Sequence, residues 1–228
     1  MRKATINDSL KQLRSSGLVF TDVIDVGIQH STPVLIENFG DVQHHLFEPV
    51  EEYFPFIKEN YKELSYNLTC AAVCNYDGNS SLQTVKKTRG DEVSHSFMIM
   101  TPTETSRLVP AITLDSYCLK KELSGEFFLK IDVEGPDVPS AILEGAATTL
   151  KKTNAVMIEM TVDKFVERAH LLHEAGFDLW DLCDLCYYGN CLWQADAVFI
   201  KRDLKKTIDS LAPIHAEKFD PDHWQSGF

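Results

Sequence analysis

Basic residues are scarce in this chain: 22 Lys and Arg stand against 34 Asp and Glu, a net charge of -12 over 228 residues. Nucleic-acid binding needs clustered cations, so no nucleic-acid partner is expected. Long apolar runs are missing as well. None approaches the roughly 18 residues that would span a membrane. The opening MRKATINDSLKQLRSSG has no apolar h-region of a signal peptide, so a cytoplasmic protein is expected and the sequons at Asn67 and Asn79 carry no information. Cysteine is present in six copies but in no complete metal-binding pattern. Cys183 and Cys186 have the C-x2-C spacing of half a zinc site, with Cys191 beyond them, yet no second C-x2-C or close His follows. Free thiols in a late hairpin are the expected state, and Cys70, Cys74 and Cys118, set among apolar residues, read as small buried fillers. The composition, 44% hydrophobic and 25% charged, is that of an ordinary globular protein. The length predicts one domain over 1–228, with a core at about 13–203 and a surface tail at 204–228.

What the chain does have is an apolar run that ends in charge. In Leu129–Asp137, LKIDVEGPD, a buried strand from Phe127 to Ile131 gives way to Asp132 and Glu134. Lys130, Asp132 and Glu134 are two apart, so an extended chain points all three to one side. Ligands of open α/β sheets sit just beyond the carboxyl ends of the strands, which makes this triplet a site candidate. The plainer reading is a solvated strand end with an ion pair.

Elsewhere strands and helices alternate without repeats or low-complexity segments. LKQLRSSG reads as a short helix ended by Gly17, TDVIDVG as the first strand, and STPVLIENF as a helix with Pro33 in first position. HHLFEPV is the second strand, and a helix follows through VEEYFPFIKENYKEL with Pro55 in its first turn or at a kink. SYNLTCAAV is the third strand with NYDGNSS as its turn, and Lys86–Pro110 reads as a polar loop or lid. ITLDSYCLKKEL is a helix, FFLKIDV the fourth strand, VPSAILEGAATTLKK its helix, NAVMIEM the fifth strand and KFVERAHLLHEAGF an amphipathic helix. DLWDLCDL and ADAVFIKRD pair as a terminal antiparallel hairpin. Five βα units and a hairpin specify an α/β fold, a doubly wound, mainly parallel seven-stranded sheet covered on both faces.

Two further positions suit a nucleoside. Asp25-Val26-Gly27 closes the first strand at a βα turn, where glycine lets a ligand approach the backbone. Glu48 closes the second, about 20 residues beyond Gly27, the spacing at which an acid accepts from ribose hydroxyls. The fingerprint G-x-G-x-x-G is absent, because Gly27 is followed by Ile28, Gln29, His30 and Ser31. A pyrophosphate lacks its cradle there, so S-adenosyl-L-methionine (SAM) fits better than a dinucleotide, and a nicotinamide oxidoreductase is disfavoured.

VIDVG, LFEPVEEY, AAVCNYDG, VPAITLDSY, FLKIDVEG with AILEGAATTL, and MIEM occur in the order and rough spacing of one family. Over about Leu13 to Asp203 the chain resembles the FkbM-type SAM-dependent methyltransferases, class I and Rossmann-like. The resemblance implies an O-methyltransferase acting on a hydroxyl of a sugar, glycan or secondary metabolite. It implies Asp25, Gly27, Gln29, Ser31, Glu48, Ala72 and Asp132 as cofactor-binding residues, with Lys130, Asp132 and Glu134 at the charged strand end where the methyl group is presented. Glu159, ending the fifth strand, matches an acidic position facing the same cleft. Two departures stand out: the family usually has Asn or Ala, then Gly, where this chain has Gln29 and Ser31, and a small residue and Glu where it has Pro136 and Asp137.

A hydroxyl needs a base or a metal to act as nucleophile. Asp132 and Glu159 could hold Mg²⁺ through two carboxylates, water and substrate oxygens. Without a metal, the base is Asp132 or a histidine, for which His30 and His95 are the candidates. His44 and His45 read as strand residues, and His170 with His173 as one edge of a helix. Lys130 either pairs with Glu134 or Asp132 or contacts the acceptor; pairing is favoured, since an uncompensated cation opposes a sulfonium. The alternative function is a non-catalytic Rossmann-like binding or regulatory module whose altered Gln29–Ser31 loop no longer binds SAM. The acceptor's identity and a homo-oligomeric state are left open.

Overall fold

The computed structural model describes residues 3–86, 93–99, 102–208 and 221. In chain order its elements are α1 (Ile6–Ser15), β1 (Asp22–Val26), α2 (Pro33–Phe39), β2 (Gln43–Phe47), α3 (Phe54–Asn60, entered through a 3-10 turn at Glu51–Tyr53), β3 (Tyr66–Thr69), β4 (Ala72–Val73), β5 (Gly78–Lys86), β6 (Val93–Ile99), β7 (Arg107–Ile112), α4 (Leu114–Lys120), β8 (Phe127–Ile131), α5 (Val138–Glu144), α6 (Ala147–Lys151), β9 (Thr153–Thr161), α7 (Phe165–Glu174), β10 (Phe177–Tyr188), β11 (Cys191–Lys201) and α8 (Arg202–Thr207). Local chemistry sets several of the starts. The Thr5 hydroxyl accepts from the Asp8 N–H to open α1, the Thr113 hydroxyl accepts from the Ser116 N–H to open α4, and Pro33 stands first in α2.

Seven strands form one sheet in the order β10-β11-β9-β8-β1-β2-β3. β8, β1, β2, β3 and β9 run parallel, while β11 pairs antiparallel with both β9 and β10. This is the mainly parallel sheet with a terminal hairpin that the sequence predicts. The strand order reverses between β1 and β8, which opens a crevice beyond their carboxyl ends. Every residue of β8 is buried, as expected of a strand covered on both faces. One face packs on α4, α5 and α7 through Leu114, Ile142, Leu143 and Leu172; the other packs on α1 and α2 through Leu10, Leu13, Leu35 and Phe39. Leu10 lies ahead of residue 13 and Leu204 and Ile208 lie beyond 203, so buried packing extends past the expected core limits at both ends.

The segment between β3 and α4 departs from the sequence reading. SYNLTCAAV is not one strand: it divides into β3 of the main sheet and β4 of a second sheet of order β4-β7-β5-β6. The expected turn NYDGNSS ends at Asp77, because β5 already begins at Gly78. The expected polar loop at Lys86–Pro110 is largely β6 and β7; its residues 87–92, 100 and 101 lie outside the described ones. These strands are half-buried with an open outer face, as Leu108 shows at 73% exposure, so they lack the continuous apolar runs that mark the central strands. Pro110 is tolerated in β7 because only β5 is paired with it there; β4 joins β7 at Ala111 and Ile112. VPSAILEGAATTLKK is likewise two helices, α5 and α6. A Cβ on Gly145 would stand 2.4 Å from the Cys74 carbonyl oxygen, so the chain must pass the second sheet there without a side chain. The expected surface tail beyond Ile208 lies outside the described residues except for Pro221.

Candidate active site

The site is built at the crevice between β1 and β8. Asp25 and Lys130 are register partners across these parallel strands. Lys130 Nζ lies 3.1 Å from Asp25 Oδ1 and 3.2 Å from Asp132 Oδ2, and it also donates to the Gly27 carbonyl at 3.4 Å. Lys130 is almost wholly buried and Asp25 is 0% exposed. Burial opposes the ammonium, but Asp25 and then Asp132 outweigh it and hold its pKa above the ordinary lysine range. The expected partnership with Asp132 is present. Asp25, not Glu134, is the second partner: the strand ends at Ile131, and Glu134 instead forms a lone bridge with Phe97 of β6.

Gly27 has φ +85°, and a Cβ there would meet the Asp132 carbonyl oxygen at 1.8 Å and Val133 Cγ1 at 2.9 Å. Glycine is therefore required first by the end of β8, which crosses directly over this turn. Gln29 adopts φ 51°, a left-handed conformation uncommon for a side chain of its kind. That turn aims its N–H at Glu48 Oε2, 2.9 Å away, while Glu48 Oε1 accepts from the Val50 N–H at 2.8 Å. Glu48 is 2% exposed, and burial pushes its pKa up to about 7 despite these two donors.

Two connected clefts share Gly27, Gln29, Asp132 and Glu134. The first is walled by Phe47, Glu48, Ala72, Leu82, Phe97 and Met98 among others, and no Lys or Arg among the described residues lines it. β6, unforeseen as a strand, thus supplies a wall of this cleft. The second is bounded by Ile6, His30, Ser31, Val34, Lys130, Glu159 and Asp196, so α1, the first βα turn and the final hairpin enclose it. Asp196 lies opposite Glu159 in the β9–β11 register, and Gln194 Nε2 donates to Glu159 Oε2 at 2.6 Å. Burial, then the charges of Asp132 and Asp196, push Glu159 up to about 7; burial and Asp132 push Asp196 up to about 6.

Of the residues singled out in the sequence, the crevice gathers Gly27, Gln29, His30, Ser31, Glu48, Ala72, Lys130, Asp132, Glu134 and Glu159. Asp25 stands beneath it, through Lys130. His95 is not gathered: it is exposed on β6, beside Ser94, and lines neither cleft. The His30 ring packs on Tyr53 and Phe56. His44 and His45 are buried in β2, and His170 and His173 are exposed on α7. The sequence analysis does not single out Asp196 and Gln194; their signal is the alternation of WQAD in a strand pairing with the one that carries Glu159. Among the described residues, no group of three or more His, Cys, Asp or Glu side chains could hold a metal ion.

The family model for the methyltransferase FkbM domain matches residues 25–179. No curated protein matches the chain. Among solved structures, an rRNA methylase from Streptococcus thermophilus is 12% identical, with a TM-score of 0.49 over 88% of this chain and 98% of that one. A Streptococcus pneumoniae protein assigned as a tRNA (m1A22) methyltransferase, solved with SAM, is 13% identical, with a TM-score of 0.47 over 85% of this chain and 72% of that one. A Streptococcus mutans protein assigned as a methyltransferase, in complex with S-adenosylhomocysteine (SAH), is 9% identical, with a TM-score of 0.47 over 88% of this chain and all of that one. Likeness at this level says nothing about the acceptor.

Proposed function

The chain belongs to the methyltransferase FkbM domain family, and from that premise we propose that it transfers a methyl group from SAM to a hydroxyl oxygen of a glycan or secondary metabolite. The observation that supports this most is the change of character along the crevice, from an apolar wall around Glu48 to an acidic end around Asp132. Adenosine suits the first part: its ribose hydroxyls would donate to Glu48, whose oxygens keep acceptor capacity beyond two N–H bonds. A pyrophosphate would find no cation along that wall among the described residues. Asp132, Glu134, Glu159 and Asp196 suit a cationic sulfonium, against which Lys130 is already compensated by Asp25.

Bound SAM supplies an activated methyl group for in-line displacement by the acceptor oxygen. The chain's own task is to position the acceptor and take its proton. Asp132 stands at the shared boundary of the two clefts, its side chain 48% exposed and one oxygen held by Lys130. Its other oxygen is the proposed proton acceptor. Mg²⁺, if the reaction uses it, would be held by Asp132 and Glu159, each of which has one oxygen committed to a neighbour and one to spare. Asp132→Asn should keep SAH affinity within a few-fold and lose transfer of radiolabelled methyl to hydroxyl acceptors. Normal transfer by this variant would refute the assignment.

A further inference from the structure

Arg168 is the largest fully buried side chain in the described structure, 2% exposed, yet it makes no ion pair within 4 Å among the described residues. Among the described residues its guanidinium bonds only backbone carbonyls: Nη1 donates to Glu159 O at 2.9 Å and Nη2 to Pro136 O at 3.0 Å, while Nε is buried without a partner there. A buried cation satisfied by two carbonyls is unfavourable as a device for stability alone. The two carbonyls are informative. One belongs to Glu159, two residues before the end of β9, the other to the turn four residues after Asp132.

The rest of the first turn of α7 grips the same segment. Lys164 Nζ lies 2.7 Å from Asp137 Oδ1, and Glu167 Oε1 accepts from the Ser140 hydroxyl at 2.6 Å, with Lys164 and Glu167 paired to each other at 3.0 Å. One helical turn thus holds the Pro136–Ser140 segment from outside through Lys164 and Glu167 and from inside through Arg168. The link crosses between β8 and β9, which are paired with each other only as far as Ile131 and Ile158. Asp132, Glu134 and Glu159 all lie beyond that point.

We propose that Arg168 is a positioning residue for methyl transfer, a bridge that fixes the Asp132–Glu134 turn against Glu159 so that their carboxylates face the sulfonium together. This rests on the methyltransferase reading above. A carboxylate that retreats from about 4 to about 5 Å from a unit charge loses about a fifth of its attraction at an effective dielectric constant of about 20, which is about fourfold in affinity. SAM carries that charge and SAH does not, so the ratio of their affinities reports the carboxylates' placement, and loss of fold does not change it.

Calorimetric titration of SAM and SAH should be run on the wild type, Arg168→Met, Arg168→Lys and the outer-turn double variant Lys164→Ala/Glu167→Ala, with Tm recorded for each. Arg168→Met should weaken SAM at least about fourfold more than SAH. Arg168→Lys, able to reach one carbonyl, should restore part of the difference. The double variant should shift the ratio in the same direction by less, and it carries the test if Arg168→Met does not fold. Equal weakening of both ligands, or an unchanged ratio with a lower Tm, would overturn the inference. Failure of the wild type to bind either ligand would instead overturn the methyltransferase reading.

Discussion

Replacing Lys130 by Met should leave one of the most costly groups in the molecule without compensation. Asp25 is 0% exposed, its Oδ2 is buried with no partner among the described residues, and its Oδ1 has Lys130 at 3.1 Å. Breaking a buried ion pair from one side typically destabilises by about 3–5 kcal/mol, since the remaining charge has neither water nor a counter-ion. Against a usual domain stability of about 5–15 kcal/mol, that is a large share. The effect should depend on pH in a defined direction. In the wild type, the raised pKa of Lys130 places its contribution below the unfolded lysine pKa, so the pair is fully formed and constant between pH 5 and pH 8. In Lys130→Met, the unpaired Asp25 is pushed toward its protonated form. Protonation removes the uncompensated buried charge, so the deficit is smaller at acid pH and grows as pH rises. Urea unfolding at pH 5.5 and pH 8 should therefore show the smaller deficit at pH 5.5. Adding Asp25→Asn should recover at least about 2 kcal/mol of the deficit, the coupling expected of residues in direct contact. A Lys130→Met protein within about 1 kcal/mol of wild type at pH 8 would refute the reasoning, because that is the range of a solvated pair.

Three other outcomes follow from the same geometry. The Glu48 carboxyl, raised from 4.5 to about 7, contributes stability to the ligand-free protein that is complete below pH 4.5 and lost as pH rises through 7. Thermal melts between pH 5 and 8 should show this loss, and Glu48→Gln should reduce it. Gly27→Ala should be among the most damaging single substitutions, by more than about 3 kcal/mol in urea unfolding, because its Cβ would meet backbone rather than a movable side chain. Leu10→Ala should lower stability by about 2–5 kcal/mol, which tests whether α1 belongs to the core.

The parts of the fold legible in the sequence are those where local pattern and burial agree. FFLKI is buried throughout and was recognisable as a central strand; Thr32-Pro33 marks the start of α2 and Gly176 follows the last turn of α7. The acids just past β2 and β8 were legible for the same reason, since each interrupts an apolar run, as was Glu159, although β9 continues to Thr161 beyond it. The second sheet was not. Its strands lack a continuous apolar run, carry Ser, Gln, Thr and Pro, and the pairing of β7 with β5 and β4 comes from strands far back in the sequence. The Asp25–Lys130 pair was hidden because it depends on β1 and β8 being adjacent, although 105 positions separate the two residues. Arg168 lay within an amphipathic helix whose other charges are exposed, and only the packing of α7 on the site reveals it.

The most direct measurement is a calorimetric titration of the wild-type protein and Glu48→Ala with SAM and SAH, with and without Mg²⁺. A methyltransferase cleft anchored by Glu48 predicts saturable one-to-one binding to the wild type, weakened about tenfold or more in Glu48→Ala by the loss of hydrogen bonds to a charged acceptor. Folded wild-type protein that binds neither ligand, or a Glu48→Ala variant that binds both as tightly as wild type, would contradict it.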